Sequence, residues 1–344
     1  PPAGYDPGQI GIYALGLQEI VDVSSPAETF KPYVDPAPSK RWKEAVQRAL
    51  PKDYRLVSET QLVGLLLLIY ASPTVAENIS SVSSSNVGTG LLGYMGNKGA
   101  VSTRLLLGET TCLTFINSHL AAGTDKGSLD RRNWDAAQIV ERSRFHPIDP
   151  DKGLRIDPTE SIGKEDFAFW LGDLNYRLED IPGDDVRNVF ARHTANDYDD
   201  KHHETRQIGG SDDSSSPIVI SEDDNKEQDA RDFDSASEDH SSTSDDDIGP
   251  ISDPGSLLTT ISSLLPHDQL RIQQKKGKAF HEGWREGDIT FLPTYKYDVG
   301  SVARFDSSEK RRGPSWCDRI LYRSRRDKLR HERQEKELAE ARKR

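Results

Sequence analysis

DFAFWLGDLNYRL, running from Asp166 to Leu178, is the stretch on which the fold turns. Phe167 to Leu171 make a nearly continuous apolar run, the pattern of a strand buried on both faces, with a buried helix segment as the alternative. The run stops at Gly172, and Asp173 and Asn175 follow with one residue between them. Side chains two residues apart share a face of an extended chain, so a carboxylate and an amide stand together at a strand end. That pair suits metal-assisted hydrolysis of a phosphate ester. It suits equally well an ordinary turn closing a core strand.

Working outward, the chain of 344 residues has 34% hydrophobic and 30% charged residues, a dilute mixture for a packed domain. The dilution is local. Between Asp199 and Asp253 there are 18 acidic residues against 4 basic ones, a charge of −14, which leaves the rest of the chain near +2. Such a tract, rich in Ser and Asp and poor in apolar residues, cannot bury enough surface to offset its ordering entropy, and it reads as disordered. Its charge predicts competition with anionic membrane at low ionic strength, or a passive solvated loop. Cys112 and Cys317 do not make a disulfide framework and fit a reducing compartment. Leu62 to Ala71, the longest apolar run, is too short to span a bilayer.

Several other strands end in polar residues. Ile10 to Ile20 reads as a strand carrying Gln18-Glu19, and a Glu there calls for a partner such as a divalent cation, or for solvent. Thr111 to Leu120 reads as a strand with His119 at its end, structural or catalytic. A Gly-rich loop, LLGYMGNKGAVS, places Lys98 where backbone N–H groups and an ammonium approach a phosphate, or on a plain hairpin. Helices are predicted from Ser39 to Leu50 with Ser39 as cap, from about Leu129 to Arg144, from Val186, and from Leu257 to Gln274. The last 22 residues, from Arg323, carry 10 bases and 5 acids and read as a charged helical or frayed tail.

Taken together, Gln18-Glu19, Ser118-His119-Leu120, GDLNYR and RGPSWCDRIL resemble the inositol polyphosphate 5-phosphatase family, within the metal-dependent endonuclease/exonuclease/phosphatase folds. FWLGDLNYRL and RRGPSWCDRIL are long and specific matches, and the similarity covers nearly the whole chain outside the acidic tract and the tail. The resemblance implies an α/β fold, a two-sheet mixed β-sandwich flanked by helices, with the site on one rim. Residues 1–198 and 257–322 would be two parts of one domain, 199–256 a disordered insert and 323–344 a basic tail.

It also implies roles. Glu19 looks like the ligand of one Mg²⁺, Asp173 like the residue that activates water, and Asn175 like its neighbour at phosphate and metal. His119 is similar to the histidine on the scissile phosphate, and Asp318 to the carboxylate that orients a catalytic histidine. Lys98, Tyr295, Lys296, Lys310 and Arg312 resemble groups that hold the other ring phosphates. Leu91, Leu92 and Met95 look like a loop that dips among acyl chains. The implied partners are a phosphoinositide lipid or soluble inositol polyphosphate and a peripheral membrane surface, with no nucleic acid, in the cytoplasm. The implied reaction is hydrolysis of a 5-phosphate from a phosphatidylinositol 4,5-bisphosphate-type substrate, by in-line attack of water without a covalent intermediate.

Two parts of the family pattern, a leading WNVN-type strand and a Ser-Asp-His segment after WCDRIL, have no counterpart in this sequence. The resemblance therefore predicts a half-built site, exposed apolar faces and unpaired strand edges, and leaves open a catalytically inactive lipid-binding or scaffolding piece. A nuclease of the same broad fold is the other rival, against which PTYKYD and RGPSWCDR speak.

Overall fold

In a computed structural model the chain is described at residues 10–22, 36–146, 160–194, 256–301 and 304–342. The acidic tract, 199–253, and the boundary drawn before it lie outside these residues, whereas the boundary drawn after it falls where Ser256 caps a helix that starts at Leu257. The described strands form two sheets. The smaller contains β1 (Ile12–Leu17), β2 (Arg55–Leu62) and β3 (Leu65–Ala71) in the order β1-β3-β2, all antiparallel. The larger contains β4 (Ile79–Gly88), β5 (Gly99–Leu107), β6 (Thr111–His119), β7 (Phe167–Asp173), β8 (Arg285–Glu286) and β9 (Asp318–Ser324) in the order β4-β5-β6-β7-β9-β8. Among the described strands only β6 and β7 run parallel, joined through the helix Lys126–Arg142, so both end at the same rim.

The helices are α1 (Pro36–Ala49), α2 (Pro73–Glu77), α3 (Lys126–Arg142), α4 (Gly183–Thr194), α5 (Leu257–Leu264), α6 (Gln269–Lys275) and α7 (Arg325–Ala341). Asp125 caps α3 by accepting from the Ser128 amide at 2.9 Å. Ser39 does not cap α1; it lies inside the helix and donates to the Pro36 carbonyl. The single helix expected from Leu257 to Gln274 is two. Pro266 lacks an amide donor, the chain passes through a 3₁₀ turn at Leu265–His267, and Asp268 caps a fresh helix. The tail is helical, opened by a capping box between Ser324 and Asp327.

Leu65, Leu67 and Ile69 of β3 pack against Val101, Leu105 and Phe115 of the larger sheet, with Phe115 stacked on Phe169 at 5.2 Å. Buried Asn117 pins the two sheets: its amide donates to the carbonyls of Leu17 and Leu66, both at 3.0 Å. On the other face of the larger sheet Trp170 meets Phe280 and Trp284 edge-on, at 4.8 and 5.7 Å. These rings carry much of the core that holds β7 in place.

β7 was expected to be buried on both faces, and it is buried on one. Ala168, Trp170 and Gly172 face the helices, whereas Phe167 is exposed and Leu171 and Asp173 are partly open. The reason is a groove of about 590 Å³ between β1 and β9, lined by Gly16, Leu171, Phe291 and Ile320 among others. Ile320 is 65% exposed along it, and β1 has no neighbour on its outer side among the described strands.

Candidate active site

Strand register assembles the site. Gly99 pairs with His119, His119 with Asp173, and Asp173 with Asp318, one row across four neighbouring strands. Lys98 immediately precedes that row on β5. The row needs close backbone approach at Gly172, whose φ is +130° and where a Cβ would lie 2.1 Å from the Ser118 carbonyl oxygen. Residues 19, 98, 119, 173 and 318, distant in sequence, thus meet on one rim.

His119 is almost fully buried, and its Nε2 lies between three charged groups. The Lys98 ammonium contacts it directly, Asp173 Oδ2 is 3.4 Å away and Glu19 Oε1 is 3.9 Å away. A ring nitrogen flanked by an ammonium and carboxylates can pass one proton among them. Burial pushes the Lys98 ammonium below the usual lysine range, and Asp173, Glu19 and Asp135 partly offset this. Asp173 is desolvated, which alone would raise it. The hydrogen bond and charge of His119, with Lys98 and Arg177, outweigh that and hold it below the ordinary aspartate value. Its Oδ1 accepts the Asn175 amide at 3.0 Å, and Asn175 takes a left-handed φ of 56° to make that turn.

Asp318 is different. Its amide donates to Thr294 Oγ1 at 3.0 Å, its residue surface stays open to the groove, and crowding by protein followed by repulsion from Asp173 pushes its carboxyl up to about 6. The charged form is disfavoured in the fold, so stability falls as pH rises from about 4, the ordinary carboxyl value, and the penalty is complete once the pH passes about 6. Asp318→Asn is accordingly expected to melt above the parent at pH 8 and to lose that advantage near pH 4 (thermal denaturation at both values). Equal differences at both would show that Asp318 titrates normally. Neither other histidine near this sequence region reaches Asp318: His267 contacts the Glu179 carbonyl and His331 lies beside His281.

Glu19 follows β1 at a left-handed φ of 55°, and its side chain is 63% exposed. Among the described residues no group of three or more His, Cys, Asp or Glu side chains is arranged to hold an ion. An open mode, one carboxylate with waters and substrate oxygens completing the shell, fits Glu19 and suits a hard cation such as Mg²⁺.

Of the expected ring-phosphate groups, Lys98 sits against His119 instead, and Tyr295, Lys296, Lys310 and Arg312 lie on two neighbouring loops. Tyr295 exchanges two backbone hydrogen bonds with Ser315, at 3.1 and 2.8 Å. The carbonyl of Lys296 accepts from the Asp306 amide at 2.8 Å, and Asp306 binds Arg312 through Nη1 at 3.0 Å. Ser308 first, then Arg312, hold Asp306 well below the usual carboxylate range. Asp306 therefore joins the two loops, holding the Lys296 backbone through its amide and Arg312 through its carboxylate, with exposed Lys310 on the same turn as Arg312.

At the loop before Lys98, Leu91 and Leu92 are 54% and 85% exposed, whereas Met95 is half-buried and its carbonyl accepts the Gly90 amide. Tyr94, not singled out from sequence, is 75% exposed instead. Trp134 stands beside this loop with Arg131 stacked on it at 4.5 Å. Arg177 was also missed. It was the R of a motif read for its Asp and Asn, and only the fold shows it buried beneath Tyr295.

A family model described as endonuclease/exonuclease/phosphatase family 2 matches residues 5–210 and 242–338. The chain belongs to that family. Within it, the mouse type II inositol 1,4,5-trisphosphate 5-phosphatase is 34% identical over 314 residues, 91% of this chain and 24% of that protein. The Arabidopsis thaliana type I inositol polyphosphate 5-phosphatase 8 is 29% identical over 92% of this chain and 59% of its own length. The chain thus spans well under two thirds of these curated relatives. Among solved structures, the inositol polyphosphate 5-phosphatase domain of SPsynaptojanin, in complex with inositol (1,4)-bisphosphate and calcium ion, has a TM-score of 0.63 at 29% identity, covering 94% of this chain and 69% of that one. A Cimex nitrophorin, with a TM-score of 0.50 and 17% identity, shares the fold alone. The resemblance to inositol polyphosphate 5-phosphatases and the expected α/β architecture are both borne out by these matches.

Proposed function

We propose that this family member is a Mg²⁺-dependent phosphoinositide 5-phosphatase acting on phosphatidylinositol 4,5-bisphosphate-type substrates. The observation that carries the reading is the single register row His119–Asp173–Asp318, flanked by Lys98 and approached by Glu19. Asp173 is ionised at neutral pH and accepts a hydrogen bond from the attacking water, orienting it in line with phosphorus. It takes the water proton as the new P–O bond forms and the bond from phosphorus to the ring's 5-oxygen breaks, and the departing oxygen takes a proton from solvent water. His119 and Lys98 stabilise charge developing on the phosphate oxygens. Mg²⁺ at Glu19 would supply charge neutralisation at phosphate oxygens and a more acidic water. Lys296, Lys310 and Arg312 hold the ring's other phosphates, a task suited to point charges and guanidinium forks. The test is release of inorganic phosphate from inositol 1,4,5-trisphosphate and from a short-chain phosphatidylinositol 4,5-bisphosphate, with Mg²⁺ and with chelator. No release in either case, with the ligand still bound, would replace this reading with that of a binding or scaffolding piece.

Contact with a membrane is part of the same proposal. Leu91, Leu92 and Tyr94 project beside Lys98, with Arg131 and Arg142 stacked on Trp134 and Tyr94 behind them. Apolar tips backed by cations suit an anionic bilayer interface. Replacing Leu91 and Leu92 together by Ser is expected to weaken binding to phosphatidylserine vesicles containing phosphatidylinositol 4,5-bisphosphate by about tenfold or more, since each buried Leu contributes roughly 1.5–3 kcal/mol. Turnover of soluble inositol 1,4,5-trisphosphate should be unchanged. Flotation with unaltered vesicle affinity would remove the loop from the interface.

A further inference from the structure

Arg177 is only 6% exposed, and the carboxylates of Asp173 and Asp318 act on it through space, with no direct ion pair among the described residues. Its Nε is buried without a hydrogen-bond partner. The guanidinium is held instead by neutral groups. It lies 3.8 Å from the centroid of the Tyr295 ring, and its Nη2 donates to Asn175 Oδ1. The backbone is fixed from the other side, where Arg177 N donates to Gln269 Oε1 and Gln269 N to Arg177 O, both at 2.9 Å. A buried cation without a directly paired anion is costly, and such a cost is tolerated where a ligand brings further negative charge.

Two contacts settle the orientation of the Asn175 amide. Oδ1 faces the guanidinium, and Nδ2 donates to the Leu120 carbonyl at 3.1 Å. Turning the amide over would set two donors against each other at Arg177 and two acceptors at Leu120. A cation at Oδ1 would have to share that oxygen with a guanidinium. What Asn175 has left to offer is its second Nδ2–H, a donor, at the end of the turn that Asp173 Oδ1 closes onto the Asn175 backbone N–H.

Resting on the 5-phosphatase reading above, we propose that Arg177 is a positioning residue. It locks the Asn175 amide so that this side chain meets the 5-phosphate as an N–H donor and takes no part in binding the metal. The charge of Arg177 adds to the attraction for the same phosphate.

The test uses the full chain and calorimetric affinity for two probes, inositol 1,4,5-trisphosphate and inositol 1,4-bisphosphate, which lacks the 5-phosphate. Arg177→Met is expected to weaken the trisphosphate about tenfold, the scale of a hydrogen bond to a charged group, and the bisphosphate less than about twofold. In an Asn175→Ala background the same change should alter trisphosphate affinity by much less, because the pair acts as one unit. Arg177→Lys, which keeps the charge, should recover part of the loss, and thermal melting of each variant reports whether it is folded. Equal losses for both probes, or full additivity with Asn175→Ala, would make Arg177 a packing residue and overturn the proposal. If Arg177→Met does not fold, the Arg177→Lys and Asn175→Ala variants decide by the same selectivity between probes. A parent chain that binds neither probe would overturn the 5-phosphatase reading itself, and this inference with it. Retained trisphosphate affinity on Asn175→Ala, with metal dependence lost, would place Asn175 at the metal and equally overturn it.

Discussion

Asp173→Asn is expected to slow phosphate release from inositol 1,4,5-trisphosphate by about 10²–10⁴-fold, the span typical of a removed general base, with KM little changed. Asparagine has nearly the same shape and keeps an acceptor for the Asn175 amide, now 3.0 Å from Asp173 Oδ1. The charge is lost, and with it the partner that the His119 ring has at 3.4 Å. The neighbouring Asp318, raised in part by repulsion from Asp173, should titrate closer to an ordinary carboxyl. The change therefore shows twice, in turnover and in the titration of a second residue. A rise in KM at constant kcat would instead make Asp173 a ground-state binding group.

The largest effect on stability is expected at Asp268→Ala. Asp268 and Arg319 are both fully buried, joined at 2.9 Å, and Arg319 is also bound to Glu286 at 2.5 Å. Asp268 caps α6 as well, accepting the Arg271 amide at 3.0 Å. Removing one partner of such a pair leaves a buried cation only half compensated, at a cost of about 3–5 kcal/mol. Against a total of roughly 5–15 kcal/mol, that is a large share of the folding free energy. Arg319 follows Asp318 on β9, so the loss would loosen the rim that carries the candidate site too. Urea denaturation compares it with Asp184→Ala, which removes the pairs that exposed Asp184 makes with Arg311 and Arg187 and should cost about 1 kcal/mol or less. Equal midpoints for the two variants would show that burial does not set the cost here.

Much of the architecture was legible because strands here announce themselves as apolar runs with polar ends. His119 and Asp173 were placed at strand ends from that pattern, and so they are. Their meeting could not be read locally, since it depends on β6 and β7 pairing in parallel register and on β9 joining from the other direction. Where local pattern misled, the cause is specific. Leu257 to Gln274 kept a helical period across Pro266, and the proline broke it. β7 looked doubly buried because its composition is apolar, yet the groove beside β1 leaves one face open. Arg177 gave no signal, for a buried arginine and a solvated one are written with the same letter.

The joint between β7 and β9 brings together residues from opposite sides of the acidic tract, paired over seven positions from Phe167–Ser324 to Asp173–Asp318. Arg323 and Glu165 add an ion pair across the same joint, and His193 meets Thr260 at 3.0 Å between α4 and α5. A protease that cuts the tract would therefore sever the backbone without parting the rim where His119, Asp173 and Asp318 meet. The two products should travel as one particle on a sizing column and separate only in denaturant, and the halves, made apart, have the surfaces to find each other again.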